Sequence, residues 1–414
     1  MRLAALLLLS GFGLYSCGSD QSKTTEASAS EVDSLSIPPK GSYGYDFHFL
    51  KQYESGLVEL TSTDQLSKVL VSPHFQGRVM TSTAAGSMGT SFGWINYDLI
   101  SKGRYKEQFN PFGGEERFWL GPEGGPFALY FKKGDSFQIQ HWQVPAILDT
   151  ISYQVANAAS DRVRLTQQGR ITNYHGFTFD FAIERSVILM NAAAIQQRLR
   201  VTIPETLRVT GYETVNSIQN TSDQPWKKET GLMSIWLLGM FPPSDQSTVI
   251  IPFKEGSNSR TGITDNYFGK IPPERLRIEK GVLYLTADGK WRSKVGIAPR
   301  IAGNVAAAVD LRNNILHIVY LEVDRQGHYV NSLWEQQKDP YSGDVVNAYN
   351  DGPLADGKQL GPFFEIESSS AAKELLPGEK QEYRQMTCHI QGTYEEIKKV
   401  AFDLLGVDIG KLKK

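Results

Sequence analysis

The sequence predicts an all-β protein: one large antiparallel β-sandwich with a helix capping its C-terminal end. Three observations lead there. Apolar and polar residues alternate over many short runs from about Tyr43 onward, which is the period of half-buried strands. No repeat or mid-chain linker divides that stretch, so the strands belong to a single unit larger than an immunoglobulin-type module. The clear helical pattern is confined to the end of the chain.

The elements follow in chain order. Arg2 and the apolar run Leu3–Leu14 form a short targeting segment, too short to span a bilayer. It ends Leu14-Tyr15-Ser16-Cys17, which resembles a bacterial lipobox, in which the cysteine is lipidated and becomes the mature N-terminus. Residues 1–16 then read as a lipoprotein signal peptide, with an ordinary secretory peptide as the alternative. Residues 17–42 are rich in Ser, Thr, Asp, Glu and Ala and end in Ile37-Pro38-Pro39, the composition of a solvated tether. A protein of this design is expected in the cell envelope, with a lipid on Cys17 as its membrane contact. The remaining cysteine, Cys388, has no partner for a disulfide in an acylated mature chain.

Within residues 43–414, alternation predicts strands at Arg162-Val-Arg-Leu-Thr, Phe177–Ile183, Gln197–Ile203, Leu207-Arg-Val-Thr, Val282–Thr286 and Gln381–Ile390. Ile315–Leu321 is more continuously apolar, as in a strand covered on both faces. Turns are expected at Gln168-Gly169, Tyr174–Gly176 and Arg312–Asn314, and Asp288-Gly289 has the form of a hairpin turn. Thr393-Tyr-Glu-Glu396 has capping-box spacing, and Ile397, Val400, Ala401 and Leu404 share one face, predicting a helix over about 393–405 with Gly406 as its stop.

The balance of 43 Lys+Arg against 45 Asp+Glu leaves no basic stripe, so a nucleic-acid partner is not expected. The seven histidines show no His-x-His or His-Glu-x-x-His spacing, and no metal or cofactor is implied. P-loop, dinucleotide and Gly-x-Ser-x-Gly fingerprints are absent, which argues against NTPase, Rossmann and serine hydrolase chemistry.

Candidate functional residues gather at a few places. The stretch Gly113-Gly-Glu-Glu-Arg117-Phe-Trp119-Leu-Gly-Pro-Glu123-Gly-Gly125 crowds turn formers, aromatics and charges, as one wall of a concave polar-aromatic cleft would. There Arg117 offers a fork of donors, Glu123 a carboxylate aimed by its flanking turn formers, and Trp119 a ring for stacking or for the core. The bland partner for Arg117 is Glu115 or Glu116. Glu365 and Glu367 stand two apart on a predicted strand, on one face, with backbones about 6.5–7 Å apart. Carboxyls so placed in a partly buried cleft couple, and one titrates high. Arg78, His141 and the loop Asp265-Asn-Tyr267-Phe268 complete the ligand-binding candidates read from the residues.

Two segments resemble the galactose mutarotase-like superfamily: Gly361-Pro-Phe-Phe-Glu365-Ile-Glu367 followed by Leu376-Pro-Gly-Glu379, and Ile218-Gln-Asn220-Thr-Ser-Asp-Gln-Pro225. The resemblance implies a β-supersandwich, a carbohydrate ligand, and Glu365 as general base. The superfamily's acid histidine has no counterpart in Gly231–Gly239, where Trp236 joins the ligand-binding set instead. The Gly-Gly-Glu-x-Arg-Phe-Trp-x-Gly-Pro-Glu-Gly-Gly block also resembles an uncharacterised family of Bacteroidetes-type envelope proteins. Three functions stay open on this reading. One is a carbohydrate-recognising lipoprotein without turnover. Another is a carbohydrate-active enzyme, an epimerase, lyase or glycosidase, with Glu123 or a histidine as acid beside Glu365. The third is an envelope scaffold.

Overall fold

A computed structural model describes residues 37–256, 260–354 and 356–412. The signal segment, Cys17 and the tether as far as residue 36 lie outside the described residues.

The described strands form three sheets whose ladders are antiparallel. A three-stranded sheet is made by Val58–Thr61, Lys68–Ser72 and Arg78–Thr83. A ten-stranded sheet runs from Leu276–Glu279 at one edge, through Ile315–Leu321, Lys380–Gln391 and Arg208–Asn220 in the middle, to Gln154–Ala158 at the other. A six-stranded sheet has the order Ile263–Thr264, Ser293–Ile297, Val346–Asn350, Phe364–Ser369, Ser234–Phe241, Arg117–Gly121.

Strand alternation decides what each face of the six-stranded sheet does. Phe364 and Ile366, with Val295, Val346, Ala348 and Phe241, pack against Val249, Leu283, Ala308 and Val319 of the ten-stranded sheet. Each of the Val, Leu, Ile and Phe side chains contributes about 1.5–3 kcal/mol when fully buried. The intervening positions, Glu365 and Glu367, therefore point to the opposite face, away from the intersheet core. The C-terminal helix Tyr394–Leu405 closes the far side of the ten-stranded sheet, with Ile397, Val400 and Ala401 in one cluster with Ile318, Met386 and Ile390. Thr393 and Glu396 complete the capping box, and Gly406 ends the helix at φ 69°.

Several local expectations are corrected. The Gln197–Ile203 run is not a strand: Ala192–Leu199 is a helix that buries Ile195 and Leu199, and Arg200 ends it in the left-handed region at φ 58°. Asn191 caps this helix, and that local signal outweighs the short alternation. Gln168-Gly169 is not a turn but lies inside the strand Arg162–Thr172. A Cβ on Gly169 would stand 2.4 Å from the ring of Phe181, its cross-strand partner, so the glycine makes room for that ring. Asp288-Gly289 does not close a hairpin, because Val282–Thr286 lies in the ten-stranded sheet and Ser293–Ile297 in the six-stranded one. It carries the chain from one sheet to the other. An unforeseen helix, Tyr43–Tyr53, is capped by Ser42 and buries Tyr43, Asp46 and Leu50.

The two large sheets are also joined by polar contacts. Arg185, fully buried on the strand Thr178–Leu189, donates to Gly77 O at 2.8 Å and to Glu116 Oε1 at 2.9 Å. Gln385 Nε2 donates to the other oxygen of Glu116 at 2.6 Å. Replacing Glu116 with alanine strands a buried guanidinium. Glu116→Ala is therefore expected to lose about 3–5 kcal/mol of stability in urea titrations, and Glu116→Gln less, since its carbonyl still accepts from Arg185.

Candidate functional site

The outer face of the six-stranded sheet carries a buried polar cluster. Its centre is the strand Phe364–Ser369, whose Glu365 and Glu367 are 4 % and 1 % exposed. Glu365 Oε1 accepts from Arg117 Nη2 at 2.7 Å. Arg117 reaches it from the edge strand Arg117–Gly121 across the intervening strand Ser234–Phe241, where Leu238 is the register partner of Arg117 and Met240 that of Glu365. The guanidinium lies over the Trp119 ring at 4.2 Å and near Phe109 at 5.5 Å. Glu367 Oε2 accepts from Trp236 Nε1 at 3.0 Å and from Lys294 Nζ at 2.8 Å.

Further residues close around these. Lys294 Nζ lies over the rings of Trp236 and Tyr267. Tyr267 donates its hydroxyl to Asp344 at 2.7 Å and accepts from Asn347 Nδ2 at 3.2 Å. Glu123, half-buried after the cis Gly121-Pro122 bond, faces Lys294 and Glu367. The indole N–H groups of Trp334 and Trp142 aim at its carboxyl, the latter without completing a hydrogen bond.

Burial dominates the electrostatics. It pushes the Glu365 carboxyl up to about 8, against the pull of Arg117 and with the charge of Glu367 pushing the same way. Burial also raises Glu123, and Lys294 opposes it. Asp344 is pushed up to about 6 by burial, against its bond from Tyr267. Some polar atoms remain without partners among the described residues: Arg117 Nε and Nη1, and Glu367 Oε1, all buried.

The sequence-predicted residues divide accordingly. Glu365, Glu367, Glu123, Arg117, Trp236 and Tyr267 converge on one face. Trp119 is packed in the core beneath Arg117, with its Nε1 donating to Leu148 O at 3.0 Å, so it supports the cluster and its ring is not open for stacking. Arg78 lies behind the cluster, 1 % exposed, donating to Gly113 O at 2.8 Å and to Gln76 Oε1 at 3.2 Å. His141 sits elsewhere, exposed, bonded to Ser136, and lining a shallow cavity of about 130 Å³ with Tyr130 and Lys132. Asp265 turns away to pair with Arg260. Arg117 does not pair with Glu115 or Glu116, because both reach toward the ten-stranded sheet: Glu115 accepts from His389 Nε2 at 2.9 Å, and Glu116 from Arg185. Sequence reasoning missed Lys294, whose short strand Ser-Lys-Val-Gly-Ile carries no motif and is placed only by its register against Tyr349. No group of histidine, cysteine or acidic residues suited to a metal ion occurs among the described residues.

A family model matches residues 41–414, which take in every described sheet. The chain belongs to DUF6786, a family of unknown function. No curated protein matches it. The DUF6786 chain is similar to Slr1438 protein from Synechocystis sp. PCC 6803, at a TM-score of 0.50 and 12 % identity over 81 % of this chain and 96 % of that one. It is also similar to a galactose mutarotase-like protein from Lactobacillus casei, with TM-score 0.47, 10 % identity and coverage of 81 % and 100 %. A galactose mutarotase related enzyme from Lactobacillus acidophilus gives TM-score 0.45, 12 % identity and coverage of 83 % and 99 %. At these identities the likeness is one of fold. The all-β supersandwich with its C-terminal helix, expected from the sequence, is the fold of this DUF6786 chain.

The raised Glu365 fixes a pH dependence. A carboxyl that holds its proton more tightly when folded stabilises the fold fully below its ordinary value near 4.5, and that stability is lost as pH rises toward about 8. Wild-type stability in denaturant is expected to fall across this window, with Glu365 contributing up to about 1.4 kcal/mol per pH unit. In Glu365→Gln the slope is expected to be shallower, and parallel slopes would contradict the assignment.

Proposed function

We propose that this protein recognises a carbohydrate at the buried cluster on the outer face of the six-stranded sheet, and that a lipid on Cys17 holds it in the cell envelope. One observation carries the recognition site: buried, unpartnered donors on Arg117 stand on the same face as a buried, unpartnered acceptor on Glu367. Leaving such atoms unpaired costs about 1–3 kcal/mol each. A sugar relieves both kinds at once, because each hydroxyl donates and accepts. Trp236 and Tyr267 supply apolar surface beside these groups, which suits the C–H face of a sugar ring. The resemblance of the Asn220 and Glu365 segments to mutarotase-like proteins points to the same class of ligand.

A second reading, an enzyme acting on that sugar, is favoured by the raised Glu365 carboxyl. A group titrating near neutrality beside a second carboxylate is suited to general acid–base work. The absence of a histidine in Gly231–Gly239 leaves this chemistry to the carboxyls.

A thermal-shift screen of mono- and oligosaccharides, neutral and acidic, tests the binding site. A ligand at a hundred times its Kd is expected to add about 2.7 kcal/mol. A hit that is converted by wild type and only bound by Glu365→Gln makes the protein an enzyme, and a hit without product makes it a binder. Silence across a broad panel removes the carbohydrate and favours the scaffold. For the anchor, Cys17→Ser is expected to move the protein from the membrane fraction to the soluble fraction.

A further inference from the structure

A third cation, Arg292, stands at the edge of the cluster. It comes two residues before Lys294, a separation of about 6.5–7 Å along an extended chain, and residues so spaced share a face. Its contacts confirm the side. Tyr349 is the register partner of both Lys294 and Glu365, and it alternates with the intersheet core residue Ala348, so it points outward. Arg292 Nε donates to the Tyr349 hydroxyl at 3.2 Å, and that hydroxyl donates to Asp351 Oδ1 at 2.6 Å. The guanidinium carbon lies over the ring of Phe268, 3.8 Å from its centre. Phe268 follows Tyr267, the ring beside Lys294.

These contacts hold the guanidinium in place without using it up. Nε is committed to Tyr349 and one face to Phe268, while Nη1 and Nη2 meet no acceptor among the described residues. Asp351 acts on Arg292 only through Tyr349: it is 1 % exposed, with Oδ1 taken by that hydroxyl and Oδ2 by the Gly361 N–H at 3.0 Å. Arg292 is half-buried and Phe268 is 40 % exposed, so this end of the face is wet where Glu365 and Glu367 are dry. A planar fork fixed at its Nε end presents two parallel donors, the match for two oxygens of one anionic group.

We propose that Arg292 recognises an oxyanion carried by the sugar, so that the ligand is an acidic saccharide with a carboxylate or a phosphate ester at the Phe268 end. The inference rests on the carbohydrate reading above and adds the charge of the ligand to it. Glu123, Glu365 and Glu367 gather in the interior of the cluster, where a second anion is costly to bury. At the solvent end the same anion meets a cation and water. Neutral hydroxyls are left to pair with Arg117 and Glu367 inside. The step of about 6.5–7 Å between the positions of Lys294 and Arg292 suits one sugar ring with its charged substituent.

The test is calorimetric titration of the full chain with matched sugars: galactose, galacturonic acid and galactose 6-phosphate, and the glucose set of the same three. An acidic sugar is expected to bind at least about tenfold more tightly than its neutral parent, and the gap is expected to narrow as salt rises from about 0.05 M to about 0.5 M. A gap carried by the uronic acids identifies a carboxylate, and one carried by the phosphates identifies a phosphate ester. Arg292→Gln is expected to bring the acidic sugar down to the affinity of its neutral parent. Arg292→Lys, which keeps the charge and loses the fork, is expected to retain part of the gap. A variant that merely misfolds loses both sugars together, and Phe268→Leu, expected to narrow the gap by freeing the guanidinium, then decides. Equal binding of acidic and neutral sugars by wild type overturns the inference and leaves the carbohydrate reading standing. A gap that survives Arg292→Gln also overturns it, because the anion is then met elsewhere. Binding of no sugar, acidic or neutral, removes the carbohydrate reading and this inference with it.

Discussion

The hydrogen bond from Arg117 to Glu365, 2.7 Å long with side chains 5 % and 6 % exposed, organises one face of the six-stranded sheet. It spans an intervening strand and two residues of register, a diagonal of about 12 Å between backbones, and that distance calls for a long side chain with a rigid planar end. Because strand residues alternate, sending Arg117 to the outer face sends its neighbour Glu116 to the inner side. There Glu116 must be paired in turn, and Arg185 on the ten-stranded sheet does so. A single requirement, that a buried polar group be given a partner, thus links the polar face to the joint between the sheets.

The glycine-rich block around Arg117 is explained by crowding. Gly113 and Gly114 sit at φ 100° and 107°, and a Cβ on Gly114 would come within 2.6 Å of the Arg78 side chain. On Gly113 it would meet Trp94 O at 2.0 Å. These residues let the chain pass close over Arg78 before the strand begins. Further on, a Cβ on Gly124 would stand 2.3 Å from Leu333 O, so the segment carrying Glu123 lies tight against the 330s loop. Turn formers and charges cluster in the sequence because the backbone must be threaded between packed side chains at the point where the charges are delivered.

Much of the architecture was legible in the sequence for physical reasons. The opening runs of two long strands, Arg162–Thr166 and Leu207–Thr210, carry a period that burial enforces, although their full lengths, to Thr172 and Asn220, do not show in the pattern, and the C-terminal helix carries a complete cap. Short segments gave weaker or misleading signals. Gln197–Ile203 alternates by chance across a helix end, and Tyr43–Tyr53 is too aromatic throughout to show a clean stripe. The same divide holds at the site. Glu365 and Glu367 share a face by period alone, and register then adds what no local pattern encodes. Lys294 joins them from a strand two places away in the sheet, while Asp265 and His141, equally polar in sequence, are satisfied by neighbours of their own.

The depth of the cluster has a kinetic meaning. Glu365, Glu367, Lys294 and Trp236 are each less than a tenth exposed, and Trp236 belongs to the same packed cluster as Tyr130, Trp142 and Trp334. On the proposed function, a ligand has to reach side chains that solvent barely touches, so an opening step has to precede contact. Association is then gated: its rate levels off at high ligand concentration, at the frequency of opening. The observed affinity is the intrinsic one reduced by the fraction of molecules open at any moment. The same gate slows escape, so a ligand that enters is held for longer than its contacts alone would dictate.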